Sequence, residues 1–391
     1  MAINEALPFG SFVVRIFERD AAGQWVASAA LEAPTDLNAS QNASFGRTFE
    51  LDGDVLVARV TAHQAAQNMV IVYEKRAGVW QEATRLLAPS YVQANRIFAM
   101  GGVALSGDTI AVGSVSATGL KTDGVVHVFV RQGTSWVLQQ VVEEPQQVWN
   151  EFASAVELHG DHLAVNASAG NAGTRGVYLF ERNAGVWSQQ NRLVPPNVNS
   201  YFGQVMVMDG ERLAVAEVEQ KVGNAVYNNY DVVHIFELDG AGQWQLDTRL
   251  QTDVAHRGNP LALVPMTLRG DRVLIGEYFT DQQILAGEEP GVSFFERGAQ
   301  GWSAARGITP FDWATGRTEE PSVEYGYMFG NSLAFDDEGR AFVGALGDRL
   351  VLPLGINMVP PGAVYLLTDS LGLFCDGFQS NPPRCDGQRP D

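Results

Sequence analysis

The chain has 391 residues, with 26 Lys and Arg against 45 Asp and Glu, a formal net charge of −19. A hydrophobic content of 46% supplies a core and excludes wholesale disorder, and the acidic balance speaks against nucleic-acid or anionic-membrane binding, which need clustered Lys and Arg. No apolar run approaches the roughly 18 residues of a membrane span.

In chain order, the first apolar run is VVRIFERD, which leads through a Gly-containing turn to Trp25. The hairpin segment LDGDVLVA (51–58) precedes VIVYEKRAG and Trp80, and LSGDTIAVG (105–113) precedes VVHVFVRQG and Trp136. LHGDHLAVN (158–166) is followed by GVYLFERNAG and Trp187, and MDGERLAVA (208–216) by VVHIFELDG and Trp244. LRGDRVLIG (268–276) is followed by GVSFFERG and Trp302, and a looser copy, FDDEGRAFVGA (335–345), by a last apolar run at Ala363–Leu367. The six Trp residues recur at spacings of 55, 56, 51, 57 and 58 residues.

Each unit reads as four strands: A and B joined by a tight Gly-Asp turn, C carrying the aromatic-rich run, and D beginning at the Trp. Short apolar runs bounded by Gly, Asp and Asn, without helix-period segments, predict an all-β chain. Four-stranded units at this period predict a β-propeller of antiparallel blades over residues 1–370, followed by a tail at 371–391. Six hairpins and six Trp strands give six blades, with the ring closed by strands from both ends of the chain. Strand C occurs once too often, as Phe12–Phe17 and again as Ala363–Leu367, so seven blades is the alternative.

An aromatic-Gly or aromatic-Ala pair precedes strand A five times: Phe45-Gly46, Phe98-Ala99, Phe152-Ala153, Phe202-Gly203 and Phe329-Gly330. With the GD-x-[LI]-x-V turns and the G-V-Y-x-F-x-R…W runs, this resembles the FG-GAP repeat family over about residues 9–368. Those repeats form the integrin α-subunit propeller and occur in secreted bacterial proteins, so the resemblance implies a propeller with an extracellular adhesive or recognition role. Calcium-binding members place a D-x-D-x-D-G-type loop between strands A and B; here that loop is only Gly-Asp. One carboxylate cannot supply the six to eight oxygens of Ca²⁺. No cofactor or metal is expected, with Asp336-Asp337-Glu338 the best residual calcium candidate.

Alternating strand direction puts the A–B and C–D turns on one face and the variable B–C and D–A connections on the other, where function is expected. The candidates there are aromatic and acidic. The B–C connections hold Tyr227 and Tyr230 beside Asn224, Asn228 and Asn229, and Tyr278 and Asp281 beside Glu288 and Glu289. The D–A connections hold Trp149, Tyr201, His256 and Arg257, and the longest carries Asp312, Trp313, Arg317, Glu324 and Tyr325. Aromatics beside carboxylates and amides suit a carbohydrate or an extracellular protein partner; packing between blades is the alternative role for each. The repeated Trp residues are core by register.

Catalytic motifs are missing: there is no G-x-S-x-G elbow, H-E-x-x-H or zinc-spaced Cys/His cluster. A carboxylate pair from different blades would leave no motif, so a glycoside hydrolase or lyase is the alternative to a non-catalytic recognition module. Its acid and base would be sought among Glu217, Asp231, Asp281, Asp312 and Glu324, with Tyr230 or His256 nearby. His127 and His234 occupy equivalent strand-C positions and are expected inside the sheets, whereas His159 and His162 flank a turn and are expected exposed.

The opening MAINEALPFG has neither the basic nor the apolar region of a signal peptide, which fits a mature chain after an added Met. The C-terminal segment resembles a short D-G-F-containing tail of some secreted proteobacterial proteins. Cys375 and Cys385, the two cysteines of the chain, enclose a short loop and are expected to form a disulfide, placing the protein in the periplasm, at the cell surface or outside the cell. A monomer is expected.

Overall fold

Hairpin chemistry written into the sequence sets the architecture of the computed structural model. It describes residues 1–6, 12–23, 25–62, 67–89, 96–116, 124–145, 152–167, 176–195, 201–223, 226–257, 265–276, 291–308, 328–336, 338–346 and 363–367. In five of the six A–B turns the first turn residue is a Gly in the left-handed region (Gly53 at φ 54°, Gly107 at 53°, Gly160 at 57°, Gly210 at 59°, Gly270 at 52°). Flanking residues such as Asp52 and Val55 pair directly, so the loop is two residues long with Gly first, the requirement of a type II′ hairpin.

The first sheet contains β1 (Ala2–Ala6), β2 (Phe12–Arg19) and β3 (Trp25–Leu31). A short helix α1 (Ala39–Ser44) follows, started by a capping box in which Asn38 and Gln41 satisfy each other's backbone N–H groups. The second sheet is β4 (Phe49–Asp52), β5 (Val55–Val60), β6 (Met69–Arg76) and β7 (Val79–Leu87). The third is β8 (Arg96–Ile97), β9 (Val103–Ser106), β10 (Thr109–Ser116), β11 (Val125–Gln132) and β12 (Ser135–Glu143), with β8 and β9 both pairing β10. Next come β13 (Phe152–His159), β14 (His162–Ala167), β15 (Gly176–Asn183) and β16 (Val186–Leu193). The fifth sheet is β17 (Tyr201–Asp209), β18 (Arg212–Gly223), β19 (Val226–Leu238) and β20 (Trp244–Arg257). The sixth is β21 (Met266–Arg269), β22 (Arg272–Gly276), β23 (Val292–Gly298) and β24 (Gly301–Ile308). The last is β25 (Met328–Phe335), β26 (Ala341–Leu346) and β27 (Ala363–Leu367).

The all-β, four-stranded antiparallel blade is therefore as expected, and the fold is a β-propeller. The surplus strand C is accounted for, because β2 and β27 each lie in a three-stranded sheet of their own. β1 was not anticipated: it pairs β2 on the side away from β3. Among the described residues the first and last sheets have three strands each.

Two compact units make up the chain: residues 1–210 with 239–244, and residues 211–238 with 245–391. Within the first, the core lies between successive sheets. Val126, Val128 and Val142 of the third sheet pack with Phe152, Leu163, Tyr178 and Trp187 of the fourth. Val55, Val70 and Leu86 of the second sheet pack in the same way with Phe98, Ile110 and Trp136 of the third. In the second unit Leu274 and Val292 pack with Ala341 and Val343. Continuous apolar strands such as Leu56–Ala58 follow from burial on both faces.

The aromatic-Gly/Ala pairs act where neighbouring sheets approach most closely. Phe45, Phe98, Phe152 and Phe202 are buried, and the residue after each has positive φ: Gly46 74°, Ala99 55°, Ala153 71°, Gly203 79°, with Gly330 at 85°. A Cβ on Gly113 would lie 2.3 Å from the Ala153 carbonyl oxygen, so this Gly inside β10 is required by the backbone of the next sheet.

Candidate functional site

On the turn face, the third and fourth sheets repeat a scaffold of three side chains. In the fourth sheet Asp161 of the A–B turn holds Arg182 of β15 at 2.6 Å, and the guanidinium lies over the Trp187 ring, 5.1 Å from its centroid. The third sheet repeats this with Asp108, Arg131 and Trp136. The indole N–H groups then reach the preceding sheet: Trp136 donates to Glu74 at 2.9 Å and Trp187 to Gln139 at 3.1 Å. In the second unit Trp302 donates to Asp247 at 2.7 Å. Trp136, Trp187 and Trp244 are buried, in keeping with the core role read from register, whereas Trp25, Trp80 and Trp302 are half-buried.

Trp149, Tyr278, Asp281, Asp312, Trp313, Arg317, Glu324 and Tyr325 lie outside the described residues, as do Cys375 and Cys385. Tyr227 and Tyr230 are a correction. They sit in strand β19, paired with Val222 and Glu219 of β18, rather than in a B–C loop. The hairpin continues to Gly223 and Val226, because alternating Val, Asn and Tyr residues extend the ladder that was read as a loop. His256 and Arg257 likewise belong to β20.

Glu217 and Asp231 also belong to strands, β18 and β19. Glu217 is fully buried and hydrogen-bonds His234 at 2.6 Å, inside the sheet as expected for His234. His127, at the equivalent position, faces Ser114 at 3.1 Å, and burial beside Arg96 pushes its imidazole down to about 4. His159 and His162 pair across their turn and are half-buried rather than exposed, with His162 edge-on to Trp244. Asp336 accepts from the backbone N–H groups of Glu338 and Arg340 and from the Arg340 guanidinium. Among the described residues no group of three or more His, Cys, Asp or Glu is arranged to hold a metal.

Sequence reading missed a pair of carboxylates. Glu50 on β4 and Glu157 on β13 occupy the same register, three residues before the turn Gly, where the other blades place Ala104, Val207 and Thr267. Strands β4, β9, β13 and β17 are successive neighbours in the first unit. Water reaches the Glu50 side chain, yet the protein around it desolvates the carboxyl and pushes it up to about 7. Desolvation, reinforced by the charge of Glu50, raises Glu157 well above the usual carboxylate range, and a Met208 backbone hydrogen bond offsets part of that. The signal was a Glu inside an otherwise apolar strand, FELDG and VELHG. Such carboxyls hold protons near neutral pH and suit proton donation and acceptance.

A β-propeller built on Gly-Asp hairpins and Trp-anchored blades is the class that this fold defines. No family model matches the chain, and no curated protein matches it. Among solved structures, it is similar to a putative 6-phosphogluconolactonase from Bacteroides uniformis, with TM-score 0.55 and 13% identity over 98% of this chain and 96% of the other. It is also similar to the propeller domain of the Trilobed protease from Pyrococcus furiosus, with TM-score 0.45 and 10% identity over 82% and 81% of the two chains. The six-bladed Aleuria aurantia lectin, described with a fucose recognition mode, gives TM-score 0.40 and 13% identity over 79% and 94%. At these identities the likeness concerns the fold alone.

Proposed function

We propose that the chain is a secreted, non-catalytic recognition propeller of the FG-GAP type that takes a carbohydrate or an extracellular protein through its B–C and D–A connections. The observation that carries this reading is the commitment of the repeated polar residues. Asp161, Arg182 and Trp187 bind one another and the neighbouring blade in a repeated pattern, so choice among different ligands falls to the connections that differ between blades. Trp149, Trp313 and Tyr325 are the proposed aromatic anchors, with Tyr278, Asp281, Asp312, Arg317 and Glu324 as polar partners. Binding on a glycan array and to extracellular proteins, compared with a Trp313→Ala variant, tests it. Retained binding by that variant removes Trp313 from the site, and no binding in either format defeats the recognition reading.

The Cys375–Cys385 disulfide and residence outside the cytoplasm belong to the same proposal. An intact mass lower by a pair of hydrogens under non-reducing conditions supports them, and free thiols defeat them.

A second reading rests on Glu50 and Glu157: a glycoside hydrolase or lyase whose acid and base are these two glutamates rather than Glu217 or Asp231. A polysaccharide screen that finds cleavage abolished in both Glu50→Gln and Glu157→Gln supports it. A screen without cleavage at high protein loading rejects it.

A further inference from the structure

An open groove of about 560 Å³ lies between the third and fourth sheets at their A–B and C–D turns. One wall is the β9–β10 turn with Asp108, backed by Arg131 and Gln139; the other is Asp161, Arg182 and the β15–β16 turn at Ala184 and Gly185. The volume falls in the range of small-ligand sites, about 300–1,000 Å³.

The charge pattern selects the ligand. Two guanidiniums and two carboxylates line the groove, and each Arg already has its own acid: Arg131 with Asp108 at 3.2 Å and Arg182 with Asp161 at 2.6 Å. An anion would compete with the aspartates and a cation with the arginines, whereas a neutral molecule leaves both pairs intact. The aspartates are 71% and 60% exposed, so oxygen lone pairs beyond those facing the arginines remain open to hydroxyl donors.

A donor is aimed into the same space. The register of β11 with β12 slips between Val128 and Phe129, and Gln139 is the extra residue of that bulge. The Trp187 indole N–H binds Gln139 Oε1 at 3.1 Å and thereby fixes the amide. Among the described residues its Nε2 has no protein partner and lies beside Gly185. Val130, Ala184 and the turn glycines add small apolar surface between these polar groups. The Trp136 and Trp187 faces are covered by Arg131 and Arg182, so recognition here uses hydrogen bonds rather than ring stacking.

We propose that this groove binds a neutral saccharide unit, with Asp108 and Asp161 accepting from its hydroxyls and Gln139 Nε2 donating to one. Hydroxyl groups that both donate and accept match this mixed lining, and dissociation constants are expected on the order of millimolar because the groove is open and the stacking surfaces are occupied.

Saturation-transfer NMR of the full chain with methyl glycosides of neutral hexoses, and with glucuronate as the anionic comparator, tests the assignment. Neutral glycosides are expected to receive saturation and glucuronate much less, with binding insensitive to salt. Asp108→Ala should weaken neutral-glycoside binding by about tenfold or more, Asp108→Asn less so, while Asp54→Ala, the same turn position one blade earlier, leaves it unchanged. The proposal falls if no neutral glycoside binds, if glucuronate binds better, or if Asp108→Ala behaves like Asp54→Ala. Loss of glycoside binding in Trp313→Ala with retention in Asp108→Ala overturns the groove and keeps the loop-face reading; the converse supports the groove and moves saccharide recognition away from the loops.

Discussion

The Trp136 indole N–H donates to Glu74 Oε1 at 2.9 Å, joining strand D of one blade to strand C of the blade before it. Glu74 is 6% exposed and also faces Arg76 and Arg131, so this Trp closes a buried polar junction besides filling apolar space. Replacing Trp136 by Phe keeps much of the ring volume and removes the donor. A loss of about 1–2 kcal/mol is expected in denaturant unfolding, and Glu74→Gln, which neutralises the buried carboxylate left without its indole donor, should relieve part of the loss when the two changes are combined.

Ala77 and Gly78 form the two-residue β6–β7 turn with φ of 49° and 82°, the type I′ pattern with both residues left-handed. Ala is strained there and exposed. Ala77→Gly or Ala77→Asn should therefore raise stability by about 0.5–1 kcal/mol, read as a higher denaturation midpoint with an unchanged slope. An unchanged or lower midpoint argues against the strain.

Gly203 combines a φ of 79° with a position where a Cβ would lie 2.5 Å from Val177 Cγ2. Gly203→Ala is expected to cost about 2–3 kcal/mol, from backbone strain and overpacking together. Ala153, which already carries a Cβ at φ 71°, is the reverse case. Ala153→Gly should be neutral or stabilising by up to about 1 kcal/mol, because relief of strain is set against glycine's extra unfolded-state freedom.

Glu50 supplies a pH dependence with a definite sign. Its folded carboxyl titrates at about 7 against 4.5 for the unperturbed group, so the neutral form is favoured in the fold. Stability is then complete below pH 4.5, declines as the pH rises to about 7, and stays lower above it. Glu50→Gln should leave stability unchanged at pH 4 and raise it at pH 8, by about 1 kcal/mol once solvent screening of this water-reached side chain is allowed for. Thermal unfolding of both proteins across that range decides it, and a gain of equal size at pH 4 would contradict the assignment.

The repeat was legible because its signals are local. Gly53, Gly107, Gly160, Gly210 and Gly270 are demanded by turns of two residues, and Trp136 and Trp187 announce themselves by spacing. Tyr227 and Tyr230 were misplaced because nothing within a few residues distinguishes a long β-hairpin from a polar loop; the ladder from β18 decides it.

The chain sequence by itself determined the blade: its turns, its strand order and the aromatic-Gly/Ala pairs, since each rests on backbone φ preference and contacts within one unit. Only the tertiary structure decided what the blades hold together. Glu50 and Glu157 belong to different blades about a hundred residues apart, and their raised titration exists only where both strands meet a desolvating environment. The groove between Asp108 and Asp161 has the same origin, because neither turn encloses a volume until the neighbouring sheet packs beside it.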